Sequence, residues 1–211
     1  MAVIKMDNIN KKFGEKEIFS NFSIEINQGD YVSITGPSGK GKTTLLNMMG
    51  LLEKPDVGDV IICGEKNPTF ISKKTKSLRR NDLSYLFQNY GLVDTDTVKQ
   101  NLGYVLKYKN YTAKQKELEM EKALSIVGLD GFLSRKIYTL SGGEQQRVAL
   151  AKIILKDPKI ILADEPTGSL DPTNRNYVLD ILKMLNEKGK TIVVVTHDME
   201  VAKCAKTHIN L

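Results

Sequence analysis

The most constraining feature of this chain is a glycine-rich loop set between an apolar strand and an apolar helix. YVSIT (31–35) reads as a strand and KTTLLNMM (42–49) as a helix start, with Gly36-Pro37-Ser38-Gly39-Lys40-Gly41-Lys42-Thr43 between them. The loop matches G-x-x-x-x-G-K-[ST], and it stands in the strand-to-helix context that this pattern requires. Glycines let the backbone curl until successive N–H groups point at phosphate oxygens, and the helix N-terminus adds partial positive charge. Lys42 is placed to reach β- and γ-phosphates, and the Thr43 hydroxyl to hold Mg2+. By residue usage, a chain of this length meets the pattern by chance on the order of once in a hundred. The loop predicts a nucleoside triphosphate ligand.

The rest of the chain supplies a fitting frame. Strand-like and helix-like stretches alternate, which predicts an α/β layer architecture. Phe22, Ile24 and Ile26 alternate with polar residues, while KIILAD (159–164) and TIVVVT (191–196) are continuous apolar runs of the buried, parallel kind. DVIICG (59–64) and LSYLFQ (83–88) read as short strands. Thr112 with Gln115, and Ser141 with Glu144, form candidate capping boxes, and Pro172 follows Asp171 as N1 follows an N-cap. The helix after Pro172 places Val178, Ile181, Leu182 and Leu185 on one face. The stretch 89–155 is mostly helical and interrupts the strand series, so it is expected to form its own subdomain.

Composition excludes several classes. With 41% hydrophobic and 27% charged residues, the 211-residue chain is able to bury a core. No apolar run approaches the ~18 residues of a membrane helix, and MAVIKMDNINKKF is not a secretory leader. Two cysteines, Cys63 and Cys204, make no disulfide framework, which points to the cytoplasm. Cys204 and His208 are spaced like a helical pair of metal ligands but lack a third. The net charge of +6 is spread from end to end except at Lys73, Lys74, Lys76, Arg79 and Arg80, read as a solvated loop and helix start. The aromatic interleaving of single-strand binders is missing there, so no nucleic acid partner is expected.

Two further motifs bear on chemistry. In IILADEP, Asp164 and Glu165 stand at the end of a buried strand. Asp164 is a candidate support for Mg2+, and Glu165 a candidate base for an attacking water. In LSGGEQQR, Gly142 and Gly143 leave backbone amides at a helix start able to meet an anion closely. Read alone, that segment is also satisfied by a well-capped helix and nothing more.

Together, GPSGKGKT, LSGGEQQR and IILADEP resemble an ATP-binding-cassette (ABC) ATPase over nearly the whole chain, LSGGEQQR being that family's signature. YLFQNYGLV and DEPTGSLD look closest to the MacB-type group, which includes macrolide and peptide exporters and the lipoprotein-release and cell-division ATPases. The resemblance implies a phosphate-loop (RecA-like) core with a small antiparallel β subdomain, about 1–88 and 156–211, and an inserted helical subdomain, about 89–155. It implies ATP and Mg2+ as cofactors, with catalytic roles for Glu165 and for His197 as the switch histidine. Nucleotide contacts fall to Phe13 on adenine, to Gly36 through Thr44 along the loop, to Gln88 and Asp164, and to Ser141, Gly142, Gly143 and Asp171 from a second subunit. Thr43, Gln88 and Asp164 are the expected metal set, and Ser169-Leu170-Asp171 the loop that crosses between subunits. The implied protein is a homodimer closed around two ATP molecules. It would work on the cytoplasmic face of the membrane through a separate integral-membrane permease, for export or mechanotransmission of peptides or antibiotics.

Three departures from the family pattern stand out. Lys40 stands where the family usually carries a small residue, Gln100 where it usually carries a glutamate, and with Leu211 as the last residue no regulatory C-terminal domain is expected. An importer ATPase would carry the same motifs. A soluble, non-transport ABC ATPase would show coiled-coil arms or two cassettes, and a phosphate-loop kinase would leave the signature unexplained.

Overall fold

YVSIT, IILAD and TIVVV are the inner strands of a five-stranded, wholly parallel sheet. In the computed structural model, which describes residues 1–69, 71–168 and 170–211, the order across it is β6 (Leu83–Leu86), β7 (Ile160–Asp164), β8 (Thr191–Val195), β3 (Tyr31–Thr35) and β9 (Thr207–Asn210). Ile160 pairs with Thr191, Tyr31 with Ile192 and Val32 with Thr207. Side chains of the inner strands alternate between two apolar clusters: Ile160, Leu162, Val193 and Val195 face one, and Ile161, Ala163, Ile192 and Val194 the other. Both faces are covered, so these strands carry no polar alternation.

An antiparallel sheet covers the first face. Its order is β2 (Lys16–Asn27), β1 (Ala2–Phe13), β4 (Val57–Ile62), β5 (Glu65–Lys66). Ile4, Met6, Ile9 and Ile26 meet Leu45, Leu46, Met48 and Met49 of α1 (Lys42–Met49) in one cluster. The other face carries α3 (Val98–Leu106), α4 (Ala113–Ile126), α5 (Gly142–Lys156) and α6 (Pro172–Glu187). The Thr112–Gln115 and Ser141–Glu144 capping boxes form as expected, and Asp171 caps α6 with Pro172 in its first turn. A third box joins Thr97 to Gln100, whose side chain accepts from the Thr97 amide at 2.8 Å. That accounts physically for glutamine there, because the neutral amide serves the cap as a glutamate would.

The basic cluster is only partly solvated. Lys73, Lys74 and Lys76 are exposed on α2 (Lys73–Ser77), but the π-helical turn Leu78–Asp82 aims Arg79 at the Leu51 carbonyl and lays Arg80 over the Tyr108 ring, 3.7 Å from its centroid. Cys204 and His208 do not share a helix: Cys204 follows α7 (Met199–Ala202), and His208 lies in β9 with Nδ1 2.8 Å from Ser33 Oγ. Among the described residues no three His, Cys, Asp or Glu form a group able to hold a metal, and no helix is long and apolar enough to cross a membrane.

Because the large sheet is parallel, the C-terminal ends of its strands share one edge. Gly36 follows β3, Gln88 lies just beyond β6, Glu165 follows β7, and His197 stands two residues past β8. That edge is where open α/β sheets bind ligands.

Candidate functional site

The loop 36–43 curls because its glycines permit it. Gly39 and Gly41 adopt φ of 77° and 87°, and a Cβ on Gly41 would lie 2.3 Å from Ile18 Cγ2. Gly41 is also the N-cap of α1; no side chain caps this helix and its first turn holds no acid. The first-turn amides and the helix dipole are therefore left for an anion. Lys42 Nζ donates to the carbonyls of Gly36 (2.8 Å) and Pro37 (3.0 Å), which holds the ammonium within the loop.

Two successive carboxylates stand at the end of β7 and point different ways. Asp164 Oδ1 accepts from Thr43 Oγ1 at 3.3 Å. Burial pushes the Asp164 carboxyl above its ordinary range; the Thr43 hydrogen bond and the Lys42 charge oppose this, and the Glu165 charge adds to it. Glu165 turns toward β8. Its Oε1 lies 2.8 Å from His197 Nδ1, and its Oε2 accepts from Thr196 Oγ1 at 3.2 Å. Its backbone is left-handed, with φ of 45°, a strained state for a side chain of this size.

These groups enclose a cleft of about 380 Å3. Its floor is Gly36, Ser38, Gly39 and Gly41, with Lys42, Thr43 and Thr44 on the helix side. Asp164, Glu165, Gln88 and His197 form the far wall, and Phe13, 51% exposed, stands at the mouth. Sequence reasoning missed Ile18 and Val195, which complete the lining. Ile18 is legible only as one of several apolar residues of β2, since its meeting with Gly41 depends on how the two sheets pack. Pro37 and Lys40 belong to the loop but do not line the cleft, and Lys40 is exposed.

The signature residues sit elsewhere. Ser141, Gly142 and Gly143 open α5 away from the cleft of their own chain, with the Ser141 amide donating to Glu144 Oε2 at 2.8 Å. Asp171 caps α6, accepting from the amides of Thr173 and Asn174 at 3.0 Å each. Ser169 lies outside the described residues. Asn174, absent from the sequence reading, ties the two regions together. Its Nδ2 donates to Asp171 Oδ2 and its Oδ1 accepts from Arg147 Nη1, both at 2.5 Å. The Asn174 hydrogen bonds hold the Asp171 carboxyl below its ordinary range.

A second cavity, about 320 Å3, opens between the end of β6 and helices α3 and α5, with Phe87, Tyr104, Lys152 and Lys156 in its wall. Burial brings the Lys156 ammonium down to about 8; the neighbouring Lys152 charge adds to this and Asp82 opposes it.

The sequence profile of the ABC transporter family matches residues 19–168. The chain is 39% identical to the ABC transporter ATP-binding protein MJ0796 of Methanocaldococcus jannaschii, across 99% of this chain and 93% of that one. It is 39% identical to the lipoprotein-releasing system ATP-binding protein LolD of Aquifex aeolicus, across 95% and 90%. Against the macrolide export ATP-binding/permease protein MacB of Mannheimia succiniciproducens it is 37% identical over its whole length, which is 33% of that protein. The structure of MJ0796 as a dimer in a post-hydrolysis state, bound to ADP and Pi, superposes with a TM-score of 0.90 at 37% identity, covering 99% of this chain and 94% of that one. The chain belongs to the ABC transporter family. Its fold is that family's ATPase cassette, and its relatives include members of the MacB type.

Proposed function

We propose that this chain hydrolyses ATP as a homodimer closed around two nucleotides and drives a separate membrane permease, in an exporter or mechanotransmission system of the MacB type. The observation that carries the reading is the meeting of Lys42, the Thr43–Asp164 pair and the Glu165–His197 pair in one cleft at the carboxyl edge of the sheet. The triphosphate lies along the loop against the first-turn amides and Lys42, and the Phe13 ring takes the adenine. Glu165 accepts a proton from water as its oxygen bonds to the γ-phosphorus, and the bond to the β–γ bridging oxygen breaks, so that ADP and phosphate leave. His197 steadies that water and the γ-phosphate.

Thr43, Asp164 and Gln88 suit a hard divalent cation, since all three offer oxygen. Asp164 is a half-buried carboxylate, and among the described residues Lys42 is the one cation whose charge compensates it, which fits Mg2+ at this place. Held by these three residues, Mg2+ would supply positive charge to offset that of the β- and γ-phosphates.

Ser141–Gly143 and Asp171 do not line the cleft of their own chain, which suits closure over the nucleotide of a second copy. Relatives support this: one is solved as a dimer with ADP and Pi, and others are named for macrolide export or lipoprotein release. The permease partner, a place on the cytoplasmic face of the membrane, and peptides or antibiotics as cargo belong to this reading. Glu165→Gln tests it: ATP binding persists and turnover is lost, whereas turnover at the normal rate overturns the base assignment.

A further inference from the structure

Gln146 lies one turn into α5 and is 1% exposed. Its Nε2 donates to the Pro166 carbonyl at 2.6 Å, and its Oε1 has no partner among the described residues. A buried amide with part of its bonding capacity unmet costs free energy, so packing alone favours an apolar residue here. Among the described residues, the one hydrogen bond of this side-chain amide falls on the residue after Glu165.

Glu165 holds its left-handed backbone only because its surroundings over-determine it. Its amide donates to the Val195 carbonyl at 2.9 Å, and its carbonyl accepts from the Gly168 amide at 3.2 Å. Both of those contacts come from the same end of the sheet and its own turn. The Glu165 side chain likewise bonds to Thr196 and His197 just past β8, whereas the Gln146 bond comes from another unit, the helix that begins at Ser141–Gly143.

We infer that Gln146 is a positioning residue for Glu165: through the Pro166 carbonyl it makes the setting of the base depend on how α5 is seated. The inference rests on the proposed sandwich, in which the start of α5 meets the nucleotide of the other copy. One helical turn separates Gly142 from Gln146, so a small shift at the signature arrives at Pro166 undamped. Occupancy of one site is thereby transmitted to the base of the other. A misplacement of about 1 Å in a reacting group costs up to roughly 10²-fold in rate.

The test is Gln146→Met in the full chain, a replacement of similar volume with no donor. It also removes the unmet Oε1, so the fold is retained. The expected result is a kcat lower by about 10- to 100-fold with KM for ATP within about twofold of the parent. In the Glu165→Gln background, ATP-driven dimerisation also stays unchanged. Gln146→Leu must behave the same way. A kcat within about twofold of the parent overturns the inference, and so does a parallel loss of kcat, KM and dimerisation, which marks a merely structural residue. Glu165→Gln alone is run alongside. If it turns over ATP, or fails to dimerise with ATP, the functional reading itself has failed and the inference falls with it.

Discussion

Alanine at Gly143 sets helix propensity against packing. Alanine is the better helix former by about 1 kcal/mol, so an open position would gain stability. At Gly143, however, a Cβ would lie 2.6, 2.7 and 2.8 Å from Cγ, Oδ1 and Nδ2 of Asn174. That amide is pinned at both ends, by Arg147 and by Asp171, and both hydrogen bonds must break to make room. Overpacking of this kind costs about 1–3 kcal/mol; with both bonds lost the upper half applies, and subtracting the helix gain leaves about 1–2 kcal/mol of net destabilisation. For a chain of this size that lowers Tm by about 2–8 °C. Gly142→Ala is the matched control. Among the described residues its Cβ would meet only the terminal atoms of the Tyr90 phenol, with Oη at 2.8 Å. That variant stays within about 0.5 kcal/mol of the parent. Thermal unfolding by circular dichroism without nucleotide reads both. A Gly143→Ala protein that melts at or above the parent, or a Gly142→Ala protein that falls as far, refutes the packing argument.

Two further outcomes follow from the same structure. Phe13→Ala weakens ATP binding by about 10-fold, the lower end of what base stacking contributes, while Phe13→Tyr keeps it; an unchanged Kd by calorimetry removes Phe13 from the adenine site. Lys156 is held at about 8 in the fold against 10.5 ordinarily, so between these values the unfolded chain binds more protons and stability rises with pH. Lys156→Met is therefore stabilised over the parent at pH 7 by a margin that shrinks toward pH 10, and parallel pH profiles contradict this.

What the sequence made legible is what is local. The glycine loop between YVSIT and KTTLLNMM, the runs IILAD and TIVVV, and the Ser141 and Thr112 capping boxes each specify their structure within a few residues. β1 was not legible, because Asn8, Asn10, Lys11 and Lys12 break its alternation and its bulges are set by pairing with β2 and β4. β9 is four residues without an apolar run, and it is a strand because Thr35 and its neighbours pair with it. In the site, the loop and acidic residues were legible from motif chemistry. Gln146 and Asn174 were not, since their bonds to Pro166 and Arg147 span 20 and 27 residues and arise only once α5 packs beside β7 and α6. The inward turn of Arg79 was hidden for the same reason: its acceptor, the Leu51 carbonyl, lies 28 residues away.

In the proposed sandwich, ATP itself joins two copies through Ser141–Gly143. Light scattering of the Glu165→Gln protein with ATP and Mg2+ tests it most directly. The expected mass is that of two chains, reverting to one when Ser141→Arg is added. A mass of one chain at saturating ATP, or a dimer that Ser141→Arg leaves intact, contradicts it.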